Sequence, residues 1–166
     1  MKIKSLKFKS VNSTNDIALN LIQRNKFKPT LISAEQQIKG RGTMGKKWVS
    51  KKGNLYLTIY FEINQKKINF KHYAVLNAYF LKYIIRKNYS DKVQIKWPND
   101  LFIQKKKICG ILQEVLKIGK KNFLIIGIGI NTNFNPKTKQ FSSTSLKDIT
   151  KKKINNKNLL ENIKKE

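Results

Sequence analysis

A chain of 166 residues is long enough for one domain with a sizeable core and short for two. Its 40% hydrophobic content is that of a folded domain, and no apolar run approaches the roughly 20 residues that cross a bilayer as a helix. One cysteine, Cys109, excludes an internal disulfide, and one histidine, His72, leaves too few ligands for a zinc cluster built from those residue types.

The formal net charge of +27 invites a polyanion partner, but its distribution argues against sequence-specific nucleic-acid readout. Lysines run along the whole chain, while Arg24, Arg41 and Arg86 are the only arginines, and arginine is the residue that reads base edges in a bidentate way. Asparagine and isoleucine are abundant too, as in coding sequences biased towards A and T, which accounts for most of the charge. Non-specific attraction to polyanions at low salt follows from the charge alone.

The start of the chain alternates charge with apolar residues like an edge strand, predicted over 3–8, and lacks the apolar core of a secretion signal. A soluble cytoplasmic protein is expected. Ser13-Thr14-Asn15-Asp16 then offers an N-cap with an acid three residues on, ahead of Ile17, Leu21 and Ile22, so a helix is predicted to end near Asn25, before Pro29. A strand over 31–37 leads into a basic loop reaching Ser50. The run 54–61, bounded by Gly53, is a third strand. Over 70–87, Tyr73, Leu76, Asn77, Phe80, Leu81, Ile84 and Ile85 fall at helical spacing, giving a long helix with one buried face; His72 within it reads as structural or solvated. A strand over 93–97 is interrupted by Pro98. A hairpin follows, with strands over 101–104 and 108–116 and a turn at Lys105-Lys106, and then an interior strand over 123–130. Beyond Asn133 the chain turns polar, passes Pro136 and the cluster Ser142 to Ser145, and closes on a helix over 158–165. The fold class is α+β, with a mixed, mostly antiparallel sheet and helices packed on one face.

Four segments carry chemistry. Gly40-Arg41-Gly42-Thr43-Met44-Gly45-Lys46-Lys47-Trp48 makes a loop whose glycines let backbone N–H groups approach an anion while Arg41, Lys46 and Lys47 supply charge. Downstream come Lys96-Trp97-Pro98-Asn99-Asp100, then Lys107-Ile108-Cys109-Gly110-Ile111-Leu112-Gln113-Glu114, then Gly127-Ile128-Gly129-Ile130-Asn131. With Ser13-Thr14-Asn15, this ordered set resembles the catalytic domain of biotin-protein ligases over residues 10–146, and several motifs in order are far more specific than any one of them.

The resemblance implies a biotin/lipoate ligase-like fold and an ATP-dependent ligase. Biotin would be activated as biotinoyl-AMP and passed to a lysine of a biotin carboxyl carrier protein, as in acetyl-CoA carboxylase. It implies Arg41, Lys107 and Asp100 at the reacting centre. Composition cannot choose among Lys105, Lys106 and Lys107; register to Gly110 selects Lys107. Asp100 would orient the incoming lysine or assist metal-bound phosphate. For biotin the resemblance implies Ser13, Thr14, Asn15, Gln37, Gly40, Arg41, Lys107, Gly110 and Leu112. Trp48 would pack on the biotin tail or anchor the loop, with core packing as the alternative. For ATP it implies Arg41, Lys96, Asn99 and Asn131. Magnesium would arrive with ATP, without a dedicated metal cage, with Asp100 and Glu114 the nearest carboxylates.

The chain also departs from the family pattern. Thr43 stands where many members carry Arg or Gln, and Phe141 is the aromatic left to cap adenine. The chain is expected to be one catalytic domain over 1–166, without the DNA-binding domain or the small C-terminal domain. The competing readings are a lipoate ligase of the same superfamily and a truncated domain that binds biotin without turnover.

Overall fold

Seven strands join into one sheet in the computed structural model of the chain, which describes residues 3–64, 70–136 and 142–165. The elements in chain order are β1 (Lys4–Val11), α1 (Thr14–Gln23), β2 (Thr30–Gln37), β3 (Leu55–Ile63), α2 (Phe70–Asn88), β4 (Val93–Lys96), β5 (Asp100–Ile103), β6 (Lys106–Ile118), β7 (Lys121–Ile130), α3 (Leu146–Thr150) and α4 (Asn156–Lys165). Across the sheet the order is β1-β2-β3-β7-β6-β5-β4. The pair β1/β2 is parallel and every other pair is antiparallel, so the mixed, mostly antiparallel sheet expected from the sequence is what forms.

Helix placement differs from the expectation of a single covered face. Ala78, Leu81, Ile84 and Ile85 of α2 share a core with Leu124, Ile126 and Ile128 of β7, and Leu146 of α3 and Leu159, Leu160 and Ile163 of α4 join it. Ala18 and Ile22 of α1 pack instead with Ile32, Tyr60, Phe123 and Ile125. Alternate β7 residues point to opposite faces, so α1 lies across the sheet from the other three helices. The physical reason is β7 itself: Phe123 to Ile126 are apolar at every position, and a central strand of that kind needs cover on both sides.

Local signals explain the element ends. Ser13 caps α1, its Oγ accepting from Asp16 N at 3.4 Å, and Asn25 beyond the helix takes a left-handed φ of 59°. β4 stops at Lys96, one residue earlier than expected, because Trp97 and Pro98 enter the turn to β5. The hairpin turn is Gln104-Lys105 rather than Lys105-Lys106: both have positive φ, 50° and 62°, the pattern of a two-residue turn that matches strand twist. The short helix α3, capped by Ser145, was not anticipated. Phe141 lies outside the described residues.

Candidate active site

One strand pair provides the floor of a pocket on the α1 face. Gly110 of β6 sits opposite Gly129 of β7, and Leu112 opposite Gly127, so three of these four positions raise no side chain from the sheet. Trp48 lies on that bare window. A Cβ at 110 would come within 2.8 Å of Trp48 Cζ3, one at 129 would overlap the indole nitrogen, and one at 127 would overlap the Asn15 amide. Glycine is required there by close approach.

Lys107 reaches the same pocket through an irregularity. Leu101 pairs with Cys109 and Phe102 with Lys107, so Ile108 is an extra residue in β6. Three positions apart on a regular strand, Lys107 and Gly110 would face opposite sides. The bulge re-aims Lys107 to the Gly110 side, where its Nζ sits 2.7 Å from Asp100 Oδ1 and 5.3 Å from the Trp48 ring centre. Backbone contacts hold it: Lys107 N donates to Ser142 O, and Lys107 O accepts from Thr144 N and from Asn131 Nδ2.

Arg41 comes from the glycine-flanked loop. Its Nη1 and Nη2 donate to Glu114 Oε1 and Oε2, both at 2.9 Å, and Nη2 also meets Asp16 Oδ1 at 3.0 Å. Three of the chain's nine acidic residues, Asp16, Asp100 and Glu114, therefore pair with two pocket cations. Arg41 Nε and Trp48 Nε1 are buried donors with no acceptor, a costly state that an incoming acceptor relieves.

A polar cluster forms the far wall. Gln37 Oε1 accepts from Thr14 N at 2.8 Å and Thr14 Oγ1 at 3.0 Å, and Gln37 Nε2 donates to Ser50 Oγ. Thr58 Oγ1 lies within hydrogen-bond distance of both Thr14 Oγ1 and Asn15 Oδ1, and Asn15 Nδ2 donates to Glu114 Oε2. Ser13, which caps α1, completes this wall.

Of the residues named from sequence, Ser13, Thr14, Asn15, Gln37, Arg41 and Trp48 meet in this pocket from the N-terminal side, and Asn99, Asp100, Lys107, Gly110 and Leu112 from the other. Three do not line it. Gly40 holds the loop, its carbonyl accepting from Trp48 N at 2.9 Å. Lys96 places its ammonium over the Phe102 ring, 4.9 Å from the centroid. Asn131 is fully buried, with its amide bonded to Asn54 and to Lys107 O, so it braces the lysine instead of facing the pocket. Sequence reasoning passed over Gly127 and Gly129 as contact residues and the partnership of Glu114 and Asp16 with Arg41. The Gly-Ile-Gly alternation was the available signal for the first; the second joins Arg41 to residues distant in sequence, Glu114 being 73 positions away, and left none.

Cys109 is no candidate nucleophile. Burial raises its thiol pKa, the Asp100 carboxylate adds to that, and Lys107 opposes both more weakly. Among the described residues no group of three or more His, Cys, Asp or Glu side chains could hold a metal. With Asp100 and Glu114 each paired to a cation, the pocket does not fit a resident metal ion.

Residues 7–131 match the model of the biotin/lipoate A/B protein ligase family. The bifunctional ligase/repressor BirA of Escherichia coli is 38% identical over 123 residues, which span 73% of this chain and 38% of that protein. The chain thus corresponds to well under half the length of that curated relative. The biotin protein ligase of Aquifex aeolicus, solved with biotin and ATP, superposes with a TM-score of 0.80 at 32% identity, covering 98% of this chain and 67% of that one. The enzyme of Leishmania major in complex with biotinyl-5-AMP gives 0.81 at 28% identity over 96% of this chain and 71% of the other. With the matched segment running from β1 through β7 and the pocket residues inside it, the chain belongs to the biotin/lipoate A/B protein ligase family.

Proposed function

We propose that this chain is an ATP-dependent biotin-protein ligase domain that forms biotinoyl-AMP and transfers the biotinoyl group to a lysine of a biotin carboxyl carrier protein, in the cytoplasm. The observation that carries this reading is the meeting of Lys107, Arg41 and two unpaired buried donors over a glycine floor. The solved relatives in complex with biotin and ATP or with biotinyl-5-AMP agree with it.

The first step brings two anions together. A biotin carboxylate oxygen attacks the α-phosphorus of ATP, and the bond to the β-phosphate oxygen breaks as pyrophosphate leaves. Lys107 and Arg41 offset the repulsion and the charge that develops, so catalysis rests on placed cations and needs no protein nucleophile. In the second step the acceptor amine attacks the biotinoyl carbonyl and AMP departs. Asp100, paired with Lys107, would orient that amine. Thr14, Asn15 and Gln37 offer donors and acceptors to the ureido ring, and Trp48 covers the tail. Asn99, whose Nδ2 already donates to Ile111 O, is the amide on the nucleotide side of the pocket. Magnesium would accompany ATP on its phosphates.

Exchange of labelled pyrophosphate into ATP tests the reading. Biotin-dependent exchange supports it, lipoate-dependent exchange replaces it with a lipoate ligase, and silence with both leaves a binding domain.

A further inference from the structure

Arg41 is held by two carboxylates of unequal grip. Glu114 stands on β6, opposite Ile125 of β7, and uses both oxygens on the guanidinium. Its Oε2 also accepts from Asn15 Nδ2 at 2.7 Å, and Asn15 is held in turn by Thr58. The carboxylate is thereby fixed in orientation before any ligand arrives. Asp16 makes one contact to the same Nη2, from the first turn of α1, with its side chain 41% exposed. A bidentate, braced pair is the strong kind and a single exposed one the weak kind.

We propose that Asp16 is an internal anion that occupies one edge of Arg41 and yields it when a ligand phosphate or carboxylate arrives, while Glu114 stays as the anchor that positions the guanidinium. This rests on reading the pocket as an anion site. The loop backbone beside Arg41 is pinned, with Gly40 O accepting from Trp48 N at 2.9 Å and Gly42 N donating to Lys46 O at 2.7 Å, so the exchange is a movement of the half-exposed Asp16 side chain and not of the loop. Asp16 loses little on release, because the N-terminus of α1 still favours a negative charge in its first turn. The guanidinium has capacity for the exchange: Nε is buried without a partner even with both carboxylates in place. Asp16 is a positioning residue on this account, and its effect must run through Arg41.

The test is calorimetric binding of inorganic pyrophosphate to the full chain at low salt. Asp16→Asn is expected to tighten binding by up to about fivefold, the range of an exposed ion pair. Glu35→Gln makes the same charge change on a carboxylate that pairs with Lys52, away from Arg41, and controls for general electrostatics. The Asp16→Asn gain must exceed the Glu35→Gln gain and must vanish in an Arg41→Ala background. Equal gains, survival of the gain without Arg41, or no pyrophosphate binding by either protein overturns the proposal. Glu114→Gln is expected to weaken binding despite adding positive charge; a gain matching that of Asp16→Asn overturns the anchor role. Loss of biotin-dependent exchange in the wild type would remove the ligase reading alone, since this binding measurement needs no turnover.

Discussion

At the scale of single residues, a bulge decides which of three consecutive lysines enters the pocket. Lys105 takes a left-handed turn conformation, Lys106 starts β6 exposed, and Lys107 enters the pocket only because Ile108 is inserted ahead of Cys109. Lys107→Ala is therefore expected to lower biotin-dependent pyrophosphate exchange by about 10²–10³, the usual loss of a placed electrostatic group. Lys105→Ala and Lys106→Ala should leave exchange unchanged. Lys107→Arg should remain impaired, because a planar fork does not replace a compact ammonium set between Asp100 and the Trp48 ring. Equal exchange rates across the series would remove Lys107 from the mechanism. Thr43, two residues from Arg41, lines the pocket as well.

At the scale of elements, asparagines join the end of β7 to the start of β3 and to the C-terminal segment. Asn54 Oδ1 accepts from Asn133 N at 2.9 Å and Phe134 N at 2.8 Å, while its Nδ2 donates to Phe134 O. Asn133 bonds Ile154 through both its amide groups, and Asn156 Nδ2 reaches Gly53 O. Asn131, in the same cluster, bonds Lys107 O, so the clamp that docks α4 also braces the lysine strand. Asn54→Ala leaves the part-buried N–H groups of Asn133 and Phe134 without their acceptor, at up to about 1–3 kcal/mol for each unsatisfied group. The melting temperature should fall by about 2–4 °C per kcal/mol for a chain of this size. Thermal denaturation measures the loss; a melting temperature equal to wild type would mean that water replaces the asparagine at no cost.

At the scale of the whole molecule, charge opposes compaction. Thirty-six basic residues against nine acidic ones give +27, and three of those nine acids pair with the two pocket cations Arg41 and Lys107. Lysines on the outer strand β1 protect the sheet edge from pairing with another chain, yet they add to the self-repulsion. Added sodium chloride screens that repulsion. The melting temperature at neutral pH is expected to rise between low and moderate salt, whereas a protein held chiefly by surface ion pairs would lose stability. A fall across that range would show that the few ion pairs outweigh the repulsion.

The chain carries its element plan locally. Helical spacing marks α2, the unbroken apolar run marks β7 as interior, Ser13 marks the start of α1, and the order of the glycine and lysine motifs marks the family. Each of those signals is read within a short stretch of neighbouring residues, and backbone preference is a local property. The pocket depends on what local patterns do not contain. Which face Lys107 takes follows from pairing register with β5, and the grip of Glu114 on Arg41 follows from bringing β6 beneath a loop 73 residues earlier. Gly127 and Gly129 matter because Asn15 and Trp48 happen to lie above them, and Asn131 turned inward because Asn54 waits for it just before β3. Register and packing across the sheet arise between distant segments, so only the assembled fold could decide them.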